Sequence, residues 1–355
     1  MTPGQVGEIW GTSRPSLVLV GGFLGAGKTT LILTAARILA GRGVKSAAIL
    51  NDQGGDLVDS AYVEALGVTA DEVTGGCFCC RFSDLIDSIE RLRAFEPEVI
   101  FVEPVGSCTD LSATILQPLK REFGQRYHLA PLTVMVDPAR LADLADPHIR
   151  FLFERQVAEA DLVFVNKGGQ SFEAPATEVR FGNALSGDGV AAWLDEILGA
   201  SLPVGGKLLE IDYEQYARAE AALGWLNWSA TARVSPALSP ASLLGPWLDG
   251  LQETLHSAGA RISHLKIFDQ TPGGYLKAAL TSNTGDPAVE GDLTASPEVE
   301  HALRLNLRAV IEADALREMF LTELAKLPGV RIDERLQCFS PAAPQPQHRY
   351  AEIVS

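Results

Sequence analysis

The segment Gly22-Phe23-Leu24-Gly25-Ala26-Gly27-Lys28-Thr29 matches G-x-x-x-x-G-K-[ST] in full. Glycines at these positions let backbone N–H groups turn inward around phosphate oxygens. A helix that begins inside the motif adds its positive end. Lys28 is placed to reach the β- and γ-phosphates, and the Thr29 hydroxyl to ligate magnesium. Gly22, Gly25, Ala26, Gly27 and Thr30 complete the expected contact set. A nucleoside triphosphate with magnesium is the ligand this chemistry serves.

Such a loop needs an acid at the end of a neighbouring strand. Val99-Ile100-Phe101-Val102-Glu103 supplies Glu103, and Gly106 follows at a spacing that lets backbone approach the γ-phosphate. Asn51-Asp52-Gln53-Gly54 ends another strand. Asp52 there either completes the magnesium shell, orients the attacking water, or makes the turn, for which Asn, Asp and Gly are all suited.

Three thiols crowd into Gly75-Gly76-Cys77-Phe78-Cys79-Cys80. Cys77, Cys79 and Cys80 can wrap a soft or borderline cation such as zinc, cobalt(II) or copper(I), with a fourth position left for water, a partner's ligand or a carboxylate. An incomplete site suits transfer of a metal better than storage. The competing readings are three small buried residues and a redox pair, although a bond between adjacent Cys79 and Cys80 would be strained. The cluster lies between Asp52 and Glu103 along the chain, so hydrolysis at the phosphate could alter it.

The elements around these motifs alternate. Strands are expected at Ser16–Val20, Lys45–Leu50, Val99–Val102, Leu132–Val136, Leu162–Val165 and Thr177–Phe181. Helices are expected at Lys28–Ala40, Phe82–Phe95, Leu111–Phe123 and Val190–Leu198. That order predicts an α/β fold, a P-loop NTPase with a mostly parallel sheet covered by helices. Continuously apolar strands fit a sheet buried on both faces. Leu202-Pro203-Val204-Gly205-Gly206 marks a break. The division is therefore residues 1–204, with 1–14 as a leader, then a smaller α+β domain at 205–340, and an extended Pro-rich tail at 341–355. In the second domain, strands at Gly224–Val234, Ile262–Phe268, Tyr275–Thr281 and Leu303–Ile311 with helices at Ser239–Ser257 and Ala315–Leu327 suit an antiparallel, ferredoxin-like sheet.

Composition narrows the partners. With 29 basic and 45 acidic residues the formal charge is −16, and an acidic surface repels nucleic acid and anionic lipid. No apolar run approaches the roughly 20 residues that span a bilayer, and no secretory signal is evident. Five cysteines, three of them adjacent, read as thiol or metal chemistry in a reducing cytoplasm. A dimer is among the assemblies open to such a chain.

The set Gly22–Thr30, Asn51–Gly54, Gly75–Cys80 and Glu103–Gly106 resembles the CobW-like branch of the CobW/HypB/UreG class of P-loop GTPases, over roughly residues 16–200. The resemblance implies a GTP-hydrolysing metallochaperone acting on a client metalloprotein or a cofactor-assembly protein. It implies Cys77, Cys79 and Cys80 as ligands of zinc or cobalt, and Lys28, Thr29, Asp52 and Glu103 as nucleotide and magnesium residues, with GTP or GDP bound. Asn166 and Lys167 line the base pocket, and the loop of Asn183-Ala184-Leu185 contacts the base through backbone N–H groups. Two departures stand out. Val165-Asn166-Lys167-Gly168-Gly169 puts Gly169 where the family has a guanine-reading Asp, and Leu50 stands where it often has Glu. The missing Asp supports an alternative, an ATP-dependent kinase or ATPase with structural cysteines; a nucleotide-gated scaffold with little hydrolysis is a third reading.

Other residues carry plainer expectations. Cys108, close to the γ-phosphate loop, either joins the metal site or, as the commoner case, is a small buried residue; Cys338 is read as structural. Trp225, Trp228 and Trp247 pack the second domain. His128, His148, His256, His264, His301 and His348 form no close pair with metal spacing. Asp52, Asp56 and Asp59 either face the metal or magnesium or make a solvated helix start.

Overall fold

Apolar strands alternating with helices bury their hydrogen-bonding groups most simply in a parallel sheet with covered faces. The computed structural model, which describes residues 14–55, 57–168, 171–199, 202–292 and 296–354, has that layer. Its strands are β1 (Ser16–Gly22), β2 (Ser46–Asn51), β3 (Thr69–Val73), β4 (Val99–Glu103), β5 (His128–Leu129), β6 (Thr133–Val136), β7 (Leu162–Val165) and β8 (Glu178–Phe181). They run in the order β3-β2-β4-β1-β6-β7-β8, with β5 beside β1. All registered pairs are parallel, including Leu17↔Ile100, Leu50↔Glu103 and Gly22↔Met135. The carboxyl ends of β1, β2, β4 and β7 therefore share one edge, where ligands of open α/β sheets bind. The P-loop, Asp52, Glu103 and Asn166 all follow from that edge.

The helices of this layer are α1 (Lys28–Gly41), α2 (Val58–Ala65), α3 (Phe82–Leu92), α4 (Gln117–Phe123), α5 (Pro147–Glu159) and α6 (Val190–Leu198). The expected helix from Leu111 opens with a π-turn at Ser112–Leu116. Four of these elements were not foreseen, the two-residue β5 among them. The edge strand β3 reads Thr-Ala-Asp-Glu-Val and has no apolar run. Helix α2 is short, and α5 is polar along much of its length. The signal for α5 was the Asp146 cap before Pro147, whose carboxylate accepts from the N–H groups of His148 and Ile149.

Helix α7 (Tyr213–Ala221) leads into β9 (Leu223–Leu238), α8 (Pro240–Ser257), β10 (Arg261–Thr271), β11 (Gly274–Leu280), β12 (Ala288–Gly291), β13 (Glu298–Val310), α9 (Ala313–Leu324) and β14 (Val330–Phe339). The order β12-β11-β10-β13-β9-β14 is antiparallel throughout. Without the β11–β12 hairpin this is the ferredoxin-like βαββαβ arrangement expected from the sequence. One face is closed by α8 and α9 around Trp228, Trp247 and Phe320. The other face docks on the ligand edge of the first sheet. There the Val58 N–H donates to Asn306 Oδ1 at 2.8 Å, and Trp225 joins the core of the first layer instead of the second.

Candidate functional site

The phosphate loop is assembled as its glycines predict. Lys28 is 7% exposed; its Nζ donates to the Gly22 carbonyl at 3.0 Å and lies 3.9 Å from Glu103 Oε1. Gly106 packs so closely that an added Cβ would meet the Leu24 amide nitrogen and Lys28 Nζ at 3.0 Å. Thr29 Oγ1 donates to Glu103 Oε1 at 3.1 Å, while Glu103 Oε2 is buried without a partner. Burial pushes the Glu103 carboxyl up and the Lys28 ammonium down, each partly offset by the other. An orphaned carboxylate oxygen beside a Thr hydroxyl, both at a strand end, fits magnesium: hard oxygen ligands and an unmet charge.

A cavity of about 410 Å³ opens beside this loop. All the predicted nucleotide and catalytic residues line it except Gly22, Ala26 and Ala184. Asp52 lines it too, but its carboxylate is paired with the Arg308 guanidinium at 2.8 and 2.9 Å and accepts from the Gly54 N–H. Arg308 is buried, with its guanidinium 4.1 Å above the Trp225 ring. Asp59 does begin a helix, yet it is not solvated: it accepts from Lys266 Nζ at 2.7 Å and faces the cavity. Asp56 lies outside the described residues.

On the base side, Asn166 acts as a brace. Its Nδ2 donates to the Ala26 carbonyl at 2.9 Å and its Oδ1 accepts from the Ala184 N–H at 2.8 Å. The N–H groups of Leu185 and Ser186 donate to Asn183 Oδ1, so all three amides of this loop are bonded within the protein. Lys167 Nζ pairs with Asp137 at 2.6 Å. Gly169 lies outside the described residues.

The three cysteines come together. Cys77 Sγ lies 2.7 Å from Cys79 Sγ and 3.3 Å from Cys80 Sγ, and the latter two are 3.7 Å apart. Thiolates sharing one tetrahedral zinc sit about 3.7 Å apart for metal–sulfur bonds of about 2.3 Å. All three are free thiols. Hydrogen bonds with Cys108, then with Cys79 and Cys80, hold Cys77 well below the usual thiol range. Cys108 is buried, as expected, and interacts with Cys77. Close by, Glu220 of α7 is buried, accepts from Gln53 Nε2 at 3.1 Å, and is pushed up to about 8 by burial.

Asn51 ties this cluster to the nucleotide edge. Its Nδ2 donates to the carbonyls of Val73 and Gly76 at 2.8 Å each, and its Oδ1 accepts from the Phe78 N–H at 2.9 Å. The Pro-rich tail is not a free extension. It runs back across the cysteines: the Gln345 N–H donates to Cys80 Sγ at 3.1 Å, and the Gln347 N–H to the Cys79 carbonyl at 2.8 Å. His348 packs edge-on against Phe82, and Arg349 pairs with Asp110 at 2.8 Å.

A family model described as the CobW/HypB/UreG nucleotide-binding domain matches residues 16–180. The chain is 29% identical over 163 residues to the zinc chaperone YeiR of Escherichia coli (strain K12), across 43% of this chain and 46% of that protein. It is 31% identical over 188 residues to the zinc chaperone CobW of Sinorhizobium sp, across 43% of this chain and 50% of that protein. The chain thus spans about half the length of these curated relatives. The Zn(II)-bound YjiA GTPase from E. coli is a solved structure that covers 88% of this chain and 99% of its own, at 16% identity and TM-score 0.37.

Several residues at the cavity and on Asp52 carry no signal in the sequence. His264, Lys266, Lys277 and Arg308 all come from the second sheet. Lys266 and Arg308 carry no local signal, because their acidic partners Asp59 and Asp52 lie 207 and 256 residues away. Among the described residues, no helix is long and apolar enough to cross a membrane.

Proposed function

We propose that the chain is a GTP-binding and GTP-hydrolysing metallochaperone that delivers zinc or cobalt to a client metalloprotein or cofactor-assembly protein in the cytoplasm. The observation that carries this reading is the Asn51 joint, which bonds Gly76 and Phe78 of the cysteine segment one residue before Asp52 of the nucleotide edge. The names of the two curated relatives, both zinc chaperones, support the cargo.

Water attacks the γ-phosphorus in line. Lys28 withdraws from the Gly22 carbonyl to the β- and γ-oxygens, and the Gly106 N–H caps the terminal phosphate. Thr29 and Glu103 would hold magnesium, which would supply charge neutralisation on the phosphates. The cargo metal is held by Cys77, Cys79 and Cys80. Departure of the γ-phosphate frees the loop from Gly106 to Cys108, whose carbonyls are both bonded by Gln156 Nε2. That loop carries Cys108 and so the support of the Cys77 thiolate.

The test is phosphate release from GTP and ATP by anaerobically purified protein, with and without zinc. Faster release from GTP, stimulated by zinc, is expected. Preference for ATP would instead favour the second reading, an ATPase, for which Gly169 in place of an acid is the supporting observation.

A further inference from the structure

We propose that Lys266 is a cationic finger supplied in cis: it leaves Asp59 and contacts the terminal phosphate of the bound nucleotide. This rests on the nucleotide-hydrolysis reading above and names a catalytic residue that the P-loop motif does not contain.

The second sheet physically roofs the P-loop. A Cβ added to Gly25 would lie 2.6 Å from Thr281 Cγ2 and 3.4 Å from the Ser263 carbonyl oxygen. Lys266 follows Ser263 by three residues on the same strand, β10, and lines the same cavity as Lys28, Thr29 and Glu103. Its field reaches the P-loop, for it helps push the Lys28 ammonium down and opposes the rise of the Glu103 carboxyl.

The other bases of that wall are less suited. Lys277 Nζ sits 3.8 Å from the centre of the Tyr62 ring and pairs with Glu290 at 3.3 Å. His264 is buried, and its Nε2 has no partner. Burial and the surrounding cations hold its imidazole well below the usual range, so it carries no charge to offer. Lys266 has an ordinary carboxylate partner at the first turn of α2, and its side chain is 14% exposed.

A triphosphate brings several negative charges into a site with little water, where a positioned cation contributes most in the transition state. Lys266 then exchanges one carboxylate for the γ-phosphate oxygens. Asp59 keeps a counter-charge, because the field of Lys277 also acts on it. Asp59 is therefore a restraint on the finger, and the two residues have opposite roles.

That opposition gives the test. Lys266→Met, Lys266→Arg, Asp59→Asn and the double variant are compared with the unmodified full chain. Turnover and the ratio of triphosphate to diphosphate affinity are read with guanine and adenine nucleotides side by side. Lys266→Met is expected to lose about 10²-fold in turnover and much of its preference for triphosphate, with diphosphate affinity unchanged. Lys266→Arg should retain most of both. Asp59→Asn should raise turnover or triphosphate preference, and Lys266→Met should abolish that gain. Wild-type turnover and an unchanged affinity ratio in Lys266→Met would overturn the inference. So would equal losses in Lys266→Met and Asp59→Asn, the pattern of a structural ion pair. A wild type that prefers ATP, or does not hydrolyse, overturns the GTPase reading alone, since the affinity ratio still tests Lys266.

Discussion

The Phe78 N–H donates to the Asn51 side-chain oxygen at 2.9 Å, inside the span from Cys77 to Cys79 and one residue before Asp52. One short polar side chain thus touches both functional segments. Its amide nitrogen is shared between the carbonyls of Val73 and Gly76. A buried amide with its oxygen and its nitrogen both bonded has two bad alternatives, each leaving backbone groups unmet.

Asn51→Ala should therefore cost about 2 kcal/mol of stability from the unpaired Phe78 N–H and Gly76 carbonyl. Amide exchange should speed up across residues 76–80 and stay unchanged in β7. Uniform change across the protein would mean that the joint has no local role.

Thr29→Ala and Glu103→Gln both disturb the oxygens that fit magnesium, which lie 3.1 Å apart in the wild type. Each should weaken nucleotide binding when magnesium is present and leave binding in excess chelator nearly unchanged. Lys28→Ala should lower phosphate release by about 10²-fold. Magnesium-independent losses in the first two variants would place the ion elsewhere.

In metal-free protein, Cys77 should keep its thiolate below the usual thiol range, because it is hydrogen-bonded with Cys108, Cys79 and Cys80. Ultraviolet thiolate absorbance followed downward in pH should show one persistent thiolate. It should disappear in Cys77→Ser and move toward the ordinary range in Cys108→Ala. A profile unchanged by Cys108→Ala would separate that residue from the cluster.

A chain ending at Ser340 should lose zinc to a chelator about tenfold faster, since the Gln345 N–H that bonds Cys80 Sγ is gone. An unchanged release rate would show that the tail only packs on the cysteines.

Glu159 is buried, accepts from Thr109 Oγ1 and the Ser112 N–H, and is pushed up to about 8 by burial. An acid raised on folding stabilises fully below its unfolded value, and that contribution is lost as pH rises through the folded one. Stability should fall by about 1.4 kcal/mol per pH unit between the ordinary carboxyl range and pH 8. Glu159→Gln should flatten the slope in chemical denaturation; an equal slope would assign it to other groups.

Much of this was legible because the chemistry is contiguous. The P-loop, Asn51 to Gly54, the cysteine triplet and Glu103 each declare themselves within a few residues, and β1, β4 and β7 are plain apolar runs. What the sequence hid is tertiary. Arg308 meets Asp52 across 256 positions, and Gln345 meets Cys80 across 265. No local pattern encodes such pairs. The strand β3 was hidden for another reason: on the sheet edge it needs little apolar surface, so Asp71 and Glu72 are tolerated there.

On the proposed function, nucleotide state and cargo metal share one free energy through the Asn51 joint. This is tested most directly by zinc affinity of the anaerobic full chain, measured by chelator competition with a non-hydrolysable GTP analogue and again with GDP. A difference of about tenfold is expected, with the same factor recovered when nucleotide affinity is measured with and without zinc. Equal zinc affinity in the two states would contradict it.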